Sequence, residues 1–415
     1  MNIYGLIILI ALIFDALLNR LSDLLTLSRM GQSVPEEMAD VYDADRYSKS
    51  QSYTRVKMRF GAIESIFSLI LLLAFWKFGG FAWLDQSINA FAWPPIWRGL
   101  AYIGALMTAQ SLLGLPFSIY STFVIEERFG FNKTTVKTFV LDLIKGTALG
   151  LLIGAPILAG ILAFFTYAGP LAWLWAWMAI SVITLLLQVV APIWIMPLFN
   201  KFTPIEEGEL KEKILSYVEK VQFKIAGIFV MDGSKRSAKS NAFFTGLGRY
   251  RRIALFDTLV EQQTADELLA VLAHEIGHNK KGHIVKSTAI SIAHTGVLFY
   301  LLSIVLTRTG LYEAFGTALS VHTGLIFFGM LYTPVELLLS PLMSAFSRHN
   351  EYQADAFAVE TTGLPGAMVS ALKKLSAHNL SNLTPHPFEV ALHHSHPPVL
   401  ERIRRIKAMD GQSSI

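Results

Sequence analysis

Two histidines and a glutamate stand together in one short stretch, and their spacing is typical of a metal site. His274 and His278 are four residues apart, and Glu275 directly follows the first. On an α-helix this spacing puts the two imidazoles about 40° apart on one face, where both can reach one metal ion. Glu275 then lies beside the ion, where a carboxylate can accept a proton from an attacking water. The stretch indicates hydrolytic metal chemistry; the alternative is an ordinary pair of histidines on a surface helix.

A catalytic zinc ion usually has three protein ligands, so a third must come from elsewhere in the chain. One class of zinc protease supplies a third histidine six residues after the second, but Ile284 stands there, and Lys281 replaces the intervening glycine. The neighbouring His283 is predicted to lie at a helix end. A second class supplies a glutamate on another helix with an aspartate four residues later, as Glu351 and Asp355 are spaced. We predict Glu351 as the ligand and Asp355 as the hydrogen-bond partner of a ligand histidine; the alternative is a solvated charged helix.

The composition indicates a membrane protein. Of the 415 residues, 53% are hydrophobic and 16% are charged, whereas a soluble domain carries about a quarter charged residues. The mean hydropathy is +0.46. Cysteine is absent, which excludes disulfide scaffolds, iron–sulfur clusters and thiol catalysis and leaves histidine and carboxylate as zinc ligands. The net charge is +4, and no basic stripe interleaved with aromatic residues predicts binding to nucleic acid.

Hydropathy predicts seven membrane-spanning helices. The first has no basic residue before it and no cleavage pattern after it, so it is expected to be a retained span rather than a signal peptide. The predicted ranges are 3–18, 60–81, 96–125, 139–167, 171–199, 288–306 and 322–346. Ionisable residues at membrane depth usually face protein or water, so they predict a bundle with a wet interior; they are Asp15, Glu64, Asp142, Lys145 and Glu336.

The charges between the spans predict the orientation of the chain. Lysine and arginine are concentrated in the loops between the first and second spans and between the third and fourth spans. The positive-inside rule then places the amino terminus outside and the carboxyl terminus in the cytoplasm, with the catalytic site on the cytoplasmic side. In a bacterial cell this would be the inner membrane.

The sequence stops resembling a membrane protein between the fifth and sixth spans, over residues 200–287. An amphipathic helix over 205–222 is followed by three strand-like runs, with turns at 232–234 and 246–248. A capping box at 264–267 then begins the helix that carries the two histidines. The predicted organisation is therefore spans one to five over 1–199, a soluble insert with a small sheet over 200–287, spans six and seven over 288–346, and a C-terminal catalytic segment over 347–415.

Peptide hydrolysis also needs positive charge beside the oxyanion and a place for an extended substrate to lie. His396 and Arg402 are candidates for the first role, although His393, His394 and His396 could equally form a second metal site or a pH-sensitive surface. The strand over 241–244 is the candidate edge for pairing with substrate, and the alternative is an ordinary core strand.

The order of these features closely resembles the type I CAAX prenyl protease family, which are integral-membrane zinc metalloproteases of the gluzincin type. Seven spans, a His-Glu-x-x-His motif between the fifth and sixth, and Glu-x-x-x-Asp after the seventh carry the resemblance. It extends over most of the chain. The supporting stretches are EERFGFN at 126–132, SNAFF at 240–244, RIALFDTL at 252–259, and SHPP at 395–398 with Glu401 and Arg402.

The resemblance implies a mainly α membrane protein, in which seven tilted helices surround a water-filled chamber and a zincin-like cytoplasmic domain with a small β-sheet caps it. Eukaryotic members remove the last three residues of isoprenylated proteins, so peptide or protein substrates, lipidated or not, are expected. The length and the lack of targeting signals suit a bacterial member. The implied roles are one Zn²⁺ per chain on His274, His278 and Glu351, Glu275 as general base, His396 and Arg402 at the scissile carbonyl, and Asn241 and Ala242 on the substrate-pairing strand.

Two other functions are compatible with the motifs alone. A related heat-shock-linked protease for membrane-protein quality control shares the zinc core but has fewer spans. A multi-span transporter or receptor could carry the same motif as a structural metal site. Seven predicted spans argue against the first as a family assignment, and an absence of bound zinc would favour the second.

Overall fold

The computed structural model describes residues 2–31, 33–245 and 251–412, and the predicted turn at 246–248 lies outside them. The helices are, in chain order, α1 (Ile3–Ser28), α2 (Ala44–Lys77), α3 (Gly80–Asn89), α4 (Pro95–Tyr120), α5 (Val136–Leu149), α6 (Ala155–Tyr167), α7 (Ala172–Val190), α8 (Glu209–Lys220), α9 (Asp257–Gln262), α10 (Ala265–Lys280), α11 (His283–Val305), α12 (Thr309–Glu313), α13 (Val321–Leu331), α14 (Thr333–Thr362), α15 (Pro365–His378), α16 (Pro387–His393) and α17 (Val399–Gln412). The strands are β1 (Phe202–Pro204), β2 (Gly227–Met231), β3 (Ala242–Thr245) and β4 (Arg252–Phe256).

Six helical segments of the described chain are long and apolar enough to cross a membrane. Three of them are the single helices α1, α2 and α11. The other three contain short π-helical or 3₁₀ turns and cover Pro95–Glu126, Val136–Tyr167 and Gly169–Leu198. The helices α13 and α14 meet at an angle of 54° and give a seventh span if the bent pair is counted as one. The mainly α membrane fold with a small sheet is confirmed, with six or seven membrane-spanning helices.

Two helices extend well beyond the apolar segments that predicted them. α2 begins at Ala44, where the side chain of Asp43 caps it by accepting a hydrogen bond from the Arg46 N–H at 2.7 Å. α14 runs from its membrane-spanning part through Glu351 to Thr362 without a break. Hydropathy detects the part of a helix that lies in lipid, whereas backbone hydrogen bonding continues into water. As a result, the predicted domain boundaries at 287/288 and 346/347 lie inside α11 and α14.

The membrane-spanning helices bury little of their surface inside the protein. In the most apolar window of each single span, between 0% and 17% of the residues are buried. Helices packed into a solid bundle would each bury a whole face, so these helices expose an inner side as well as a lipid-facing one. Polar contacts lie at this depth, including His294 Nε2, which is 3.6 Å from a half-exposed carboxylate of Glu336.

Two of the charged residues at membrane depth have partners that the sequence did not indicate. Asp142 and Lys145 lie three residues apart on one helix, a spacing at which the two charges could neutralise each other. Instead, Asp142 forms a two-point ion pair with Arg236 of the soluble insert. Lys145 Nζ donates to the carbonyl of Leu198 at 2.7 Å. Neither partner is a near neighbour along the sequence, so local spacing could not indicate it.

The soluble insert contains a four-stranded sheet in the order β1-β2-β4-β3. β2 and β4 are parallel, and the outer strands β1 and β3 are antiparallel to their neighbours. The three predicted strands are present, and β1 is an addition that is too short for its sequence pattern to reveal. β3 lies at one edge of this sheet, directly before the chain returns through β4 to the helix that carries the histidine pair.

The histidine-bearing helix α10 is held between the sheet and the C-terminal helices. The predicted capping box is present: the Thr264 hydroxyl accepts from the Glu267 N–H, and the Glu267 carboxylate accepts from the Thr264 N–H. One side of α10 packs on the sheet and α8 through buried Leu272 and Ile276. On the other side it crosses α14 so closely that a Cβ at Gly277 would lie 3.2 Å from the Ala354 carbonyl oxygen. Glycine at this position allows the approach that brings Glu351 to the two histidines.

Candidate metal centre and active site

Three side chains from α10 and α14 converge on one point. The Nε2 atoms of His274 and His278 are 3.1 Å apart. One carboxylate oxygen of Glu351 lies 3.2 Å from His278 Nε2, and the other lies 3.5 Å from His274 Nε2. Glu351 is 3% exposed, and its Oε2 atom has no hydrogen-bond partner among the described residues. A buried carboxylate oxygen without a hydrogen-bond partner is costly, so this arrangement is suited to bind a cation.

The spacing of the three donors fits a zinc ion. Tetrahedral coordination at about 2.0–2.1 Å requires neighbouring ligand atoms roughly 3.3 Å apart, and the three distances above bracket that value. Two imidazole nitrogens that face each other must either share one proton or face a cation. Nitrogen and carboxylate donors suit zinc, and three protein ligands leave one position open for water. The residues present therefore fit the ion that the sequence motif predicts.

His274 is also contacted on its other ring nitrogen. Its Nδ1 atom is 2.8 Å from Asp355 Oδ1, which is the contact expected for a ligand histidine whose Nε2 faces the metal. Asp355 is 2% exposed and accepts two further hydrogen bonds, from Arg402 Nη2 at 2.6 Å and Arg402 Nε at 2.8 Å. Burial would lower the pKa of the Arg402 guanidinium, but the carboxylates of Asp355 and Glu351 outweigh it and raise that pKa further. Arg402 is therefore a permanent cation whose Nη1 lies 3.5 Å from Glu351.

His278 has a support that sequence reasoning missed. His283 begins α11, as predicted for a helix end, and its Nδ1 is 3.0 Å from His278 Nδ1. Its Nε2 is 3.0 Å from Oε1 of Gln353, which lies two residues after Glu351 on α14. With His278 Nε2 facing the metal, its Nδ1–H donates to His283, and the Nε2–H of His283 donates to Gln353. The only signal in the sequence was a histidine five residues after the second ligand.

Glu275 faces a cavity of about 360 Å³ beside the three ligands. Burial raises the pKa of its carboxyl group, and the neighbouring His274 and His278 partly offset this effect. A carboxylate with a raised pKa is suited to accept a proton and then release it. The cavity is lined by Phe244, Glu275, His278, His283, Ile284, Ser287, Thr288, Ser347 and Asn350.

The structure separates the three histidines of the C-terminal segment. His396 is brought to the site, where its Nε2 lies 3.4 Å from Glu351 Oε1 on a ring that is 66% exposed. His393 ends α16 and His394 caps it, and the His394 carbonyl accepts from Arg348 at 2.7 Å. His396 is therefore the member of the three that can meet a substrate at the metal ligands.

The edge strand β3 leads into the same cavity. Phe244 of β3 is one of the cavity-lining residues. Ala242 pairs with Leu255 of β4 in the antiparallel register, and the exposed Asn241 precedes it, its carbonyl accepting from the Phe256 N–H at 3.1 Å. The inner side of β3 is thus paired with β4, while β3 is the terminal strand of the sheet. An extended peptide that added to this edge would lie beside the cavity that Phe244, Glu275 and His278 line.

A two-histidine helix crossed by a glutamate-bearing helix, set in a chain of seven apolar spans, defines an integral-membrane metallopeptidase. Residues 3–201 match the family model described as CAAX prenyl protease N-terminal, five membrane helices, and residues 204–410 match the model of peptidase family M48. The chain belongs to the CAAX prenyl protease 1 family of M48 peptidases.

Relatives from distant organisms share nearly the whole chain. CAAX prenyl protease 1 of Saccharomyces cerevisiae is 39% identical over 398 residues, which cover 89% of this chain and 87% of the relative. The homolog of Arabidopsis thaliana is 36% identical and covers 92% of each chain. The crystal structure of S. mikatae Ste24p matches with a TM-score of 0.93 at 36% identity, over 98% of this chain and 99% of that one.

Proposed function

We propose that this protein is a zinc-dependent endopeptidase with one Zn²⁺ per chain bound by His274, His278 and Glu351. The observation that carries the proposal is the convergence of these three donors, two buried and one partly buried, with Glu275 following the first of them on α10. Zinc held there supplies Lewis acidity, which lowers the pKa of water to about 7 and polarises a peptide carbonyl. The remaining steps belong to side chains of this chain.

Glu275 is the general base. It accepts a proton from the water that attacks the scissile carbonyl and then delivers that proton to the leaving amine, so its own charge is restored at the end of the cycle. Asp355 holds the Nδ1–H of His274 and thereby fixes the tautomer of that ligand. Arg402 places positive charge, and His396 a hydrogen-bond donor, beside the carbonyl oxygen as it becomes an oxyanion. His396 approaches from the exposed side, and Arg402 approaches from the buried side.

The substrate is an extended peptide that pairs with β3 through Asn241 and Ala242. Backbone hydrogen bonds to a sheet edge recognise any extended chain, whereas side-chain pockets and lipid groups supply selectivity. The names of the relatives indicate prenylated C-terminal CAAX sequences as the substrate class. The site is placed on the cytoplasmic side of the membrane, with the amino terminus outside, as the distribution of basic residues predicts. In a bacterial cell this would be the inner membrane.

Purified protein should be incubated with two peptides of matched sequence, one carrying an isoprenyl group on the CAAX cysteine and one without it. Cleavage of the prenylated peptide should be lost when a chelator removes zinc and restored by stoichiometric zinc. Metal analysis of the same sample is expected to give one zinc per chain. Cleavage that continues without zinc would contradict the mechanism, and equal cleavage of both peptides would contradict the prenyl requirement alone.

A further inference from the structure

The segment Arg236–Ser240, which lies shortly before β3, is held by several other parts of the chain. We propose that this anchor segment fixes the position of the substrate-pairing strand relative to the metal ligands, and that Glu126 and Lys239 are the positioning residues. The inference rests on the proposed pairing of substrate with β3. It also gives a role to the stretch at 126–132, which supported the family resemblance but takes no part in the chemistry.

The loop after the third span pairs with the anchor segment through the backbone. Asn132 and Ser237 form an antiparallel β-bridge. The Lys133 N–H donates to the Arg236 carbonyl at 3.0 Å, and the Ala238 N–H donates to the Phe131 carbonyl at 2.9 Å. The loop can turn to meet the segment because Gly130 has a φ of +86°, a conformation that favours glycine. The end of the third span is therefore joined to the strand that follows the segment.

Lys239 connects the anchor segment to two membrane-spanning helices. Its Nζ donates to Glu126 Oε2 at 2.8 Å and to the Tyr53 hydroxyl at 2.6 Å. The Tyr53 hydroxyl in turn donates to Glu126 Oε1 at 2.5 Å, which closes a three-membered network. Lys239 Nζ also lies 4.5 Å from the centre of the Phe131 ring, and Phe131 is buried with Tyr53 in one apolar cluster. Charge-assisted hydrogen bonds inside such a cluster hold the ammonium group in one place.

Both ends of the segment are fixed as well. At its start, Arg236 forms hydrogen bonds of 2.7 and 2.8 Å with the carboxylate of Asp142 on α5 and one of 2.9 Å with the carbonyl of Phe199. At its end, the Ser240 N–H donates to Asn379 Oδ1 at 3.0 Å, and Asn379 Nδ2 donates back to the Ser240 carbonyl at 3.1 Å. Asn379 follows α15, so the C-terminal segment holds the residue directly before Asn241.

These contacts determine where a paired substrate lies along the metal ligands. In a β-ladder a shift of one residue turns every side chain to the other face, and a shift of two residues restores the face but moves the cleaved bond. A strand whose approach is fixed from the second, third and fourth spans and from α15 presents one register. A loosened strand would bind substrate less tightly and allow neighbouring registers.

The Lys239→Met and Glu126→Gln variants test the inference. The substrate is whichever of the prenylated and unprenylated peptides the unmodified protein cleaves. Each is expected to raise KM at least fivefold with a smaller change in kcat, and to add products cut at neighbouring bonds, as read by mass spectrometry. The double variant should be no worse than the worse single variant, because both remove one network. Lys224→Met, which removes an exposed lysine of the same insert, should match the unmodified protein.

The zinc content and the thermal midpoint of each variant show whether it is folded, so that a change in substrate positioning can be distinguished from misfolding. If either variant fails to fold, Tyr53→Phe removes only the hydroxyl shared by the network and is expected to show the same change in KM and products. The inference would be overturned if the variants bind zinc and keep the original KM and single cleavage site. It would also be overturned if they lose kcat alone. Either outcome would leave the proposed function intact. If the zinc-loaded unmodified protein cleaves neither peptide, the proposed function fails and the inference fails with it.

Discussion

Each histidine that faces the metal position has a polar partner on its other ring nitrogen. Asp355 contacts Nδ1 of His274, and His283 contacts Nδ1 of His278. These contacts fix the tautomer in which Nε2 carries the lone pair that a metal requires. The Asp355 carboxylate is itself held by two hydrogen bonds from Arg402. The residues that contact the two histidines therefore hold these rings in the orientation that metal binding requires.

The Asp355→Asn substitution tests this support. The amide keeps the shape of the side chain but removes the negative charge that faces His274 and Arg402, so zinc affinity is expected to fall by about 10–100-fold. Chelator competition would measure the affinity. Glu360→Gln, an exposed acid on the same helix, is the control and should bind zinc like the unmodified protein. Equal zinc affinity in Asp355→Asn would show that the contact does not support the ligand.

The close crossing of α10 and α14 brings the three candidate ligands together. α10 supplies two candidate ligands and α14 supplies the third, and the two helices lie close together at Gly277. The sequence places all three side chains on helical faces, but the crossing that joins them depends on this small residue. A ligand set drawn from two helices is therefore sensitive to a single methyl group at their contact.

The Gly277→Ala substitution should separate the helices by a few tenths of an ångström. Overpacking of this kind costs about 1–3 kcal/mol, so the thermal midpoint is expected to fall together with zinc affinity. Gly366→Ala on α15, where an added Cβ meets no atom within 4 Å, is the matched control. A Gly277→Ala protein with normal zinc affinity would show that the close crossing is not required.

Local signals explain why much of α10 could be predicted. Its capping box and the spacing of its histidines depend on residues within one or two turns, and both are present in the structure. The partners of Asp142 and His283 could not be predicted, because Arg236 and Gln353 are far away along the chain. Glu351 could be predicted in part. Its spacing from Asp355 indicated a ligand, but the crossing of α10 and α14, which brings it to the site, could not be predicted from local sequence.

At the scale of the whole molecule, the helices that carry site residues are continuous with membrane-spanning helices. α14 is both the last part of the seventh span and the source of Glu351. α11 begins with His283 beside the site and continues as the sixth span. A ligand and a residue that supports another ligand are therefore carried on helices continuous with membrane spans.

The orientation of the chain can be tested with single cysteines, because the unmodified sequence contains none. Glu207→Cys lies in the catalytic insert with a side chain that is 86% exposed, and Gln86→Cys lies on exposed α3 between the second and third spans. A membrane-impermeant thiol reagent applied to intact cells is expected to label Gln86→Cys and to label Glu207→Cys only after permeabilisation. The reverse pattern would place the site outside the cytoplasm.

The most direct test of the central claim is the Glu275→Gln variant, assayed for zinc content and for peptide cleavage in one preparation. The amide cannot accept a proton, whereas the three ligands are unchanged. We expect one zinc per chain and a loss of turnover of at least about 10²-fold, as removal of a general base predicts. Turnover close to that of the unmodified protein at full zinc occupancy would contradict the account.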